Sequence, residues 1–248
     1  MDLGLKGKSA LITGASRGIG FACAKAFAEE GCDVRMVALD LQRLESAAEI
    51  IAGIGGGTVT THVADMAQTD DLLGMIDRFS DSDILVNNGG GIPAGTLDEI
   101  DGPAWRAGWN SKVFGYIDAT RAMLEHMYVR GSGVIVNVIG MGAVMHMYNY
   151  AAGSSGNSAL MAFTEAVGSR SIDRGVRVVG VNPGAIDTDR YQGIRVISAD
   201  MPLGRAGTPS EVGDVVAFLA SDRATYISGT VISIDGGRVH RSAPESHK

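Results

Sequence analysis

Residues 10–20, Ala-Leu-Ile-Thr-Gly-Ala-Ser-Arg-Gly-Ile-Gly, constrain this chain more than any other stretch. They join a short β-forming run to an apolar helix-forming run at 21–28, and a second β-forming run follows at 33–39. A glycine cluster alone says little. Between a strand and a helix, with a second strand to follow, it has the context of a turn that meets a pyrophosphate. Gly14 permits the tight turn, Gly18 lets backbone approach the phosphates, and Gly20 allows close helix–sheet packing. The start of the helix adds free N–H groups and the positive end of its dipole.

The same alternation runs to the end of the chain. β-rich runs at 9–13, 33–39, 58–64, 84–88, 134–139, 176–181 and 230–234 are separated by amphipathic stretches such as 18–30, 41–51, 68–79 and 159–174. Strands spaced by helices form parallel sheets covered on both faces. The expected fold is α/β: a single Rossmann-type, doubly wound domain over 1–248, with a seven-stranded parallel sheet flanked by helices on both faces. No shift of composition, repeat or linker divides it, and only 238–248 reads as a polar tail.

Composition removes several classes. A net charge of −7 argues against a nucleic-acid groove or a polybasic membrane patch. No apolar run approaches the roughly 18 residues of a spanning helix. Residues 1–8 lack the apolar core of a signal peptide, so the expected location is cytoplasmic. Cys23 and Cys32 fall near the start and end of one expected helix, which suits small buried apolar residues better than a disulfide. No metal-ligand set is identified.

Residues 13–20, Thr-Gly-Ala-Ser-Arg-Gly-Ile-Gly, have a spacing that differs from G-x-G-x-x-G and resembles the cofactor motif of the short-chain dehydrogenase/reductase family. Asp83-Ile-Leu-Val-Asn-Asn88-Gly-Gly90 resembles that family's N-N-A-G segment, with Gly89 in place of Ala. Asp65 matches the acid used against the adenine. Pro183-Gly184 and Thr188 resemble the stretch that meets the nicotinamide carboxamide, and Asp235-Gly-Gly237 resembles the family's ending. The resemblance implies a cofactor, NAD or NADP, held by Gly14, Ser16, Arg17, Gly18, Ile19, Gly20, Leu39, Asp40, Asp65, Met66, Asn88, Gly89, Gly90, Pro183, Gly184, Ile186 and Thr188. An acid closing the second strand would bind a ribose 2′-hydroxyl and a base would pair a 2′-phosphate. The chain offers Ala38, Leu39 and Asp40 there. Arg17 favours NADP and Asp40 opposes it, so both cofactors stay open with a lean to NADP.

Family members carry a Ser after the fifth strand, a Tyr thirteen residues later, and a Lys four beyond. The Tyr moves the substrate proton, the Lys lowers its pKa and binds the nicotinamide ribose, and the Ser holds the substrate oxygen. Aligning the run at 134–140 puts Gly140 at the Ser position, and aligning 157–164 puts Asn157 at the Lys position. Counting back four gives Gly153 at the Tyr position, thirteen from Gly140, so the two registers agree. All three groups are absent. Asn110 matches the Asn that anchors a water-linked proton relay, or else holds a helix bulge through its side chain. With about 100° per residue, Tyr150 lies about 20° from Asn157 on a helix begun early enough, and Gly153 and Ser154 share that face. The candidate catalytic residues are therefore Asn110, Tyr150 and Ser154; the alternative, and the favoured one, is that Met141, Met145 and Met147 with the neighbouring tyrosines simply line an apolar pocket or an interface. Lys112, two residues from Asn110, is expected on the opposite face as a surface residue.

These features imply a nicotinamide-dependent oxidoreductase with altered proton handling, acting on a small organic substrate. Hydride transfer needs only orientation of cofactor and substrate. A lyase, isomerase or hydrolase on the same scaffold, or a dinucleotide-binding protein without turnover, are the alternatives. The segment 188–203, apolar at Tyr191, Ile194, Val196 and Ile197, is expected to cover the substrate. The helices at 103–128 and 150–174 resemble those that pair subunits in the family, which implies a homotetramer or homodimer.

Overall fold

Strands that are apolar at every position, rather than at alternate ones, have to be covered on both faces. Ser9–Thr13 (β1), Ile84–Asn87 (β4) and Val176–Pro183 (β6) come close to this, mostly apolar and buried along their whole length. The computed structural model describes residues 1–189 and 201–240. It pairs these strands with Asp33–Ala38 (β2), Val59–Val63 (β3), Gly133–Val138 (β5) and Val231–Ile234 (β7) in a seven-stranded sheet ordered β3-β2-β1-β4-β5-β6-β7. Every pairing is parallel. The strand order reverses between β1 and β4, and a doubly wound sheet opens a crevice at the carboxyl ends of such strands.

Helices Gly18–Glu29 (α1), Leu41–Ala52 (α2) and Pro209–Ala220 (α8) cover one face. Their buried stripes, with Phe27, Leu44 and Val216, join Ile12, Val34 and Val136 of the strands. Full burial of a side chain such as Phe27 contributes about 1.5–3 kcal/mol. Thr69–Arg78 (α3) and Gly115–Arg130 (α5) cover the other face through Met75, Ile76 and Met123. Gly102–Trp109 (α4) leads into α5 through a π-turn, Asn110–Phe114. Ala151–Ser171 (α7) packs beside β6, and a short helix, Gly142–Met145 (α6), precedes it.

The expected architecture is borne out, with strand ends shifted by one or two residues as caps and turns take them. Three local expectations are corrected. Cys32 sits beyond α1, after the Gly31 turn, although it is buried like Cys23; burial pushes both thiols up to about 12, so neither is a reactive thiolate. The run at 150–174 begins its helix at Ala151, because Tyr150 has φ −144° and ψ 37° and stands outside it. The helix at 103–128 is interrupted by the π-turn. Residues 190–200, with Tyr191, Ile194, Val196 and Ile197, and residues 241–248 lie outside the described residues. Among the described residues no helix is long and apolar enough to cross a membrane.

The closest helix pair on the first face is α1 with α8. A Cβ on Gly213 would stand 2.7 Å from the Ala22 carbonyl oxygen. Gly213→Val should therefore overpack this seam and destabilise the protein by roughly 1–3 kcal/mol in chemical denaturation. An unchanged midpoint would mean that α8 is free to move off the sheet.

Candidate active site

The crevice is built by one hydroxyl. Thr13, the last residue of β1, accepts hydrogen bonds at Oγ1 from the backbone N–H groups of Asn88 (3.0 Å) and Gly89 (2.9 Å). Asn88 Nδ2 donates back to the carbonyls of Thr13 (3.1 Å) and Gly14 (3.3 Å). The loops after β1 and β4 are thereby locked together. Glycine is needed where they touch: a Cβ on Gly20 would lie 2.2 Å from the Gly14 oxygen, and one on Gly14 2.8 Å from Gly89 Cα. Gly14 and Gly18 also have φ of +65° and +57°, and Gly90 +95°. Below the clamp, Asn87 donates to Thr120 Oγ1 and Asn137 Oδ1, and Asn137 to Thr164 Oγ1, so a buried polar chain ties β4 and β5 to α5 and α7.

Above the clamp lies a cavity of about 620 Å³. Gly14, Ser16, Arg17, Gly18, Ile19, Leu39, Asp40, Asp65, Met66, Asn88, Gly89, Gly90 and Thr188 all line it. The first turn of α1 holds no acidic residue and its N-cap, Arg17, makes no side-chain cap, so the N–H groups there remain available to an anion. Gly20 packs beneath the loop rather than lining the cavity. Pro183, Gly184 and Ile186 are also placed apart from it. Gly184 donates to the Ile234 carbonyl at the β6–β7 edge, Pro183 accepts from Met141 N–H, and Ile186 lines a second cavity.

Arg43, one turn into α2, lines the first cavity and was not singled out by the sequence. Its signal was a basic residue three beyond Asp40. Asp40 itself caps α2, its Oδ1 accepting from Arg43 N–H at 3.1 Å, and its other carboxylate oxygen lies 3.8 Å from Arg43 Nε. Asp65 spends one carboxylate oxygen on the N–H of Ala67, 2.9 Å away.

Glycine residues dominate the floor at the end of β5. Gly140 has φ +127°, a conformation that L side chains rarely adopt. A Cβ on Gly153 would lie 1.9 Å from Tyr150 Cζ, so the Tyr150 ring fills the space a side chain at 153 would claim. A Cβ on Gly142 would lie 3.3 Å from Tyr150 Cδ1 and 3.0 Å from Asn157 Nδ2. Asn157 is 2% exposed, and its Oδ1 has no hydrogen-bond partner among the described residues. Gly95 bridges Tyr150 from across this floor, its N–H bonded to the Asn149 carbonyl at 2.9 Å.

Two of the other candidates have different surroundings from those expected. Ser154 Oγ accepts from Met147 N–H at 3.0 Å and faces the Met147 carbonyl at 3.5 Å, which ties down the loop before α7. Asn110 opens the π-turn with its side chain exposed, and its backbone carbonyl accepts the Gly115 N–H, so the bulge is held by backbone. The surface role expected of Lys112 is corrected. Asn110 faces out and Lys112 faces in, half-buried, with Nζ donating to the Ile139 carbonyl. The π-turn adds a residue to the helical turn and so moves these side chains off the regular register.

A family model described as enoyl-(acyl carrier protein) reductase matches residues 14–238. A 3-oxoacyl-[acyl-carrier-protein] reductase of Chlamydia muridarum is 31% identical over 245 residues, covering 94% of this chain and 98% of that protein. A 3-oxoacyl-[acyl-carrier-protein] reductase of Synechocystis sp. is 35% identical over 242 residues, covering 95% and 98%. Among solved structures, L-sorbose reductase of Gluconobacter frateurii, complexed with NADPH and L-sorbose, superposes with a TM-score of 0.91 at 30% identity, covering 98% of this chain and 100% of that one. The ordered glycines, the Thr13–Asn88 clamp and the 3-2-1-4-5-6-7 sheet thus share one explanation: the chain belongs to the short-chain dehydrogenase/reductase family of NAD(P)-dependent oxidoreductases.

Proposed function

We propose that the protein is an NADP(H)-dependent oxidoreductase for a small organic carbonyl or alcohol, in which Tyr150 handles the substrate proton in place of the Ser-Tyr-Lys group. The single observation that carries this reading is the Tyr150 ring lying in the space left by Gly153. The residues present fit the cofactor. Gly14, Gly18, Gly89 and Gly90 form a cradle that Cβ atoms would narrow, and the start of α1 offers N–H groups to the pyrophosphate. Asp65 and Met66 would flank the adenine, and Thr188 the carboxamide. Asn157 Oδ1, a buried acceptor with no partner among the described residues, would take a ribose hydroxyl hydrogen; an orphan of this kind otherwise costs about 1–3 kcal/mol.

Two cations favour the phosphorylated cofactor. Arg17 and Arg43 both line the cavity, Ala38 and Leu39 bring no carboxylate to the end of β2, and the Asp40 carboxylate is engaged in capping α2. When bound, the nicotinamide supplies or accepts a hydride. The protein's own part is to orient both reactants and to hold one proton at the Tyr150 hydroxyl. Asn110, exposed at the start of the π-turn, would lead water to it. Ser154 positions Tyr150 by fixing the loop that carries it. Pairing of subunits through α5 and α7 completes the proposal, as a homotetramer or homodimer.

Gly18→Asp should abolish NADPH binding in calorimetry while leaving the circular dichroism spectrum intact, since it crowds and repels the pyrophosphate; wild-type affinity in this variant would misplace the cofactor. Arg17→Ala and Arg43→Ala should each weaken NADPH by roughly 10–100-fold, the worth of a hydrogen bond between charged groups, with little change for NADH. Equal losses for both cofactors would remove the phosphate assignment. Tyr150→Phe should cut kcat by about 100-fold or more at unchanged NADPH affinity, measured on whichever member of a panel of β-ketoacyl thioesters, ketoses and aryl ketones turns over. Unaltered kcat would take the proton away from Tyr150.

A further inference from the structure

Tyr150 stands one residue ahead of α7, with φ −144° and ψ 37°, so the regular helix does not by itself fix where its ring points. Its own segment supplies two ties: the Tyr150 N–H donates to the Met147 carbonyl at 3.1 Å, and the Tyr150 carbonyl accepts from Ser154 N–H at 2.7 Å. A third comes from another part of the fold. The Gly95 N–H donates to the Asn149 carbonyl at 2.9 Å, and Gly95 and Tyr150 form an isolated parallel bridge. We infer that Gly95, in the loop between β4 and α4, is a positioning residue for Tyr150, holding its ring over Gly153 in register with the cofactor cradle. The inference rests on Tyr150 being the group that holds the substrate proton.

The loop starts in the cradle itself. Gly89, Gly90 and Gly91 line the first cavity, and Thr13 grips the N–H groups of Asn88 and Gly89. Ile92 follows, 1% exposed, and rests on α7, where a Cβ on Gly156 would lie 2.8 Å from its Cδ1. Pro93 rests on α4, where a Cβ on Gly108 would lie 2.7 Å from its Cδ. Gly95 then reaches the segment that carries Tyr150. One short loop thus touches both the cradle and the proton-holding residue. Misplacing a reacting group by about 1 Å can cost about 100-fold in rate, and a shared anchor keeps that error small.

Only glycine suits position 95. Its φ is +156°, and a Cβ would stand 2.7 Å from Ile100 Cδ1 and 2.8 Å from Ile100 Cγ1. The next residues close the loop on itself. Thr96 N–H donates to a Glu99 carboxylate oxygen at 2.8 Å, and Glu99 N–H donates to the Thr96 carbonyl at 3.2 Å. The bond from Thr96 holds the Glu99 carboxyl below its ordinary pKa. Glu99 is exposed, so it braces the turn after Gly95 from outside the site.

The test uses the full-length protein labelled with 3-fluorotyrosine, in which the Tyr150 fluorine resonance is the one missing from Tyr150→Phe. Gly95→Val and Glu99→Ala should each shift or broaden that resonance. Glu99→Gln, which keeps an acceptor oxygen, and Asp98→Ala, at an exposed neighbour, should leave it in place. On the panel substrate that turns over, Gly95→Val should lower kcat by about 10–100-fold while calorimetry gives unchanged NADPH affinity. Circular dichroism checks each fold, and the exposed Glu99 keeps the test open if Gly95→Val does not fold. A Tyr150 resonance that stays in place in folded Glu99→Ala and Gly95→Val overturns the inference, as does a moved resonance with unchanged kcat in Gly95→Val. The two readings fail separately: unaltered kcat in Tyr150→Phe removes the proton from Tyr150, whereas an unmoved resonance removes only the role of Gly95.

Discussion

The hydroxyl of Thr13 is the point on which the site depends. It closes β1 by accepting from two consecutive N–H groups at the end of β4, and Asn88 returns two contacts to the same turn. These are the two strands at which the strand order reverses, and the lock holds the loops that follow them together above the cavity floor. The lock is possible only because Gly14, Gly20 and Gly89 leave room for backbone to touch backbone. Polar satisfaction and steric absence thus act together. The buried chain from Asn87 through Asn137 to Thr164 ties the layer below, although Asn87 Oδ1 has no hydrogen-bond partner among the described residues.

Most of the fold was legible in the sequence because a parallel sheet announces itself through continuous apolar runs, and the glycines of residues 14–20 mark where the chain must turn. What escaped was set by tertiary context. Helix α8 carries a capping box between Thr208 and Glu211, yet it was not picked out from the segment before the last strand. Periodicity places Tyr150 on the helix, whereas its backbone is non-helical and stands one residue outside; its ring still reaches Gly153, by a route that helical angles do not describe. Lys112 was assigned outward on regular helical spacing. This π-turn packs against α7, a tertiary contact that no pattern of residue types fixes in advance. Arg43 joined the cavity because α2 starts directly after β2, with Asp40 as its cap, which brings the first turn of the helix to the rim.

The three glycines of the floor are not interchangeable. Simple loss of a side chain in a packed protein leaves a hole, and a hole is destabilising in proportion to its size. At Gly153 there is no hole: the Tyr150 ring occupies the space so fully that a Cβ could not be restored without moving it. At Gly140 the backbone has turned to φ +127°, where a serine would be strained. At Gly142 the constraint is milder and comes from the Asn157 amide and Tyr150. Tyr150 thus closes position 153 and, with Asn157, crowds 142, while backbone conformation restrains 140. A side chain at 140 would meet backbone strain, and one at 153 would collide with the Tyr150 ring. The packing is that of a floor organised around Tyr150 and Asn157.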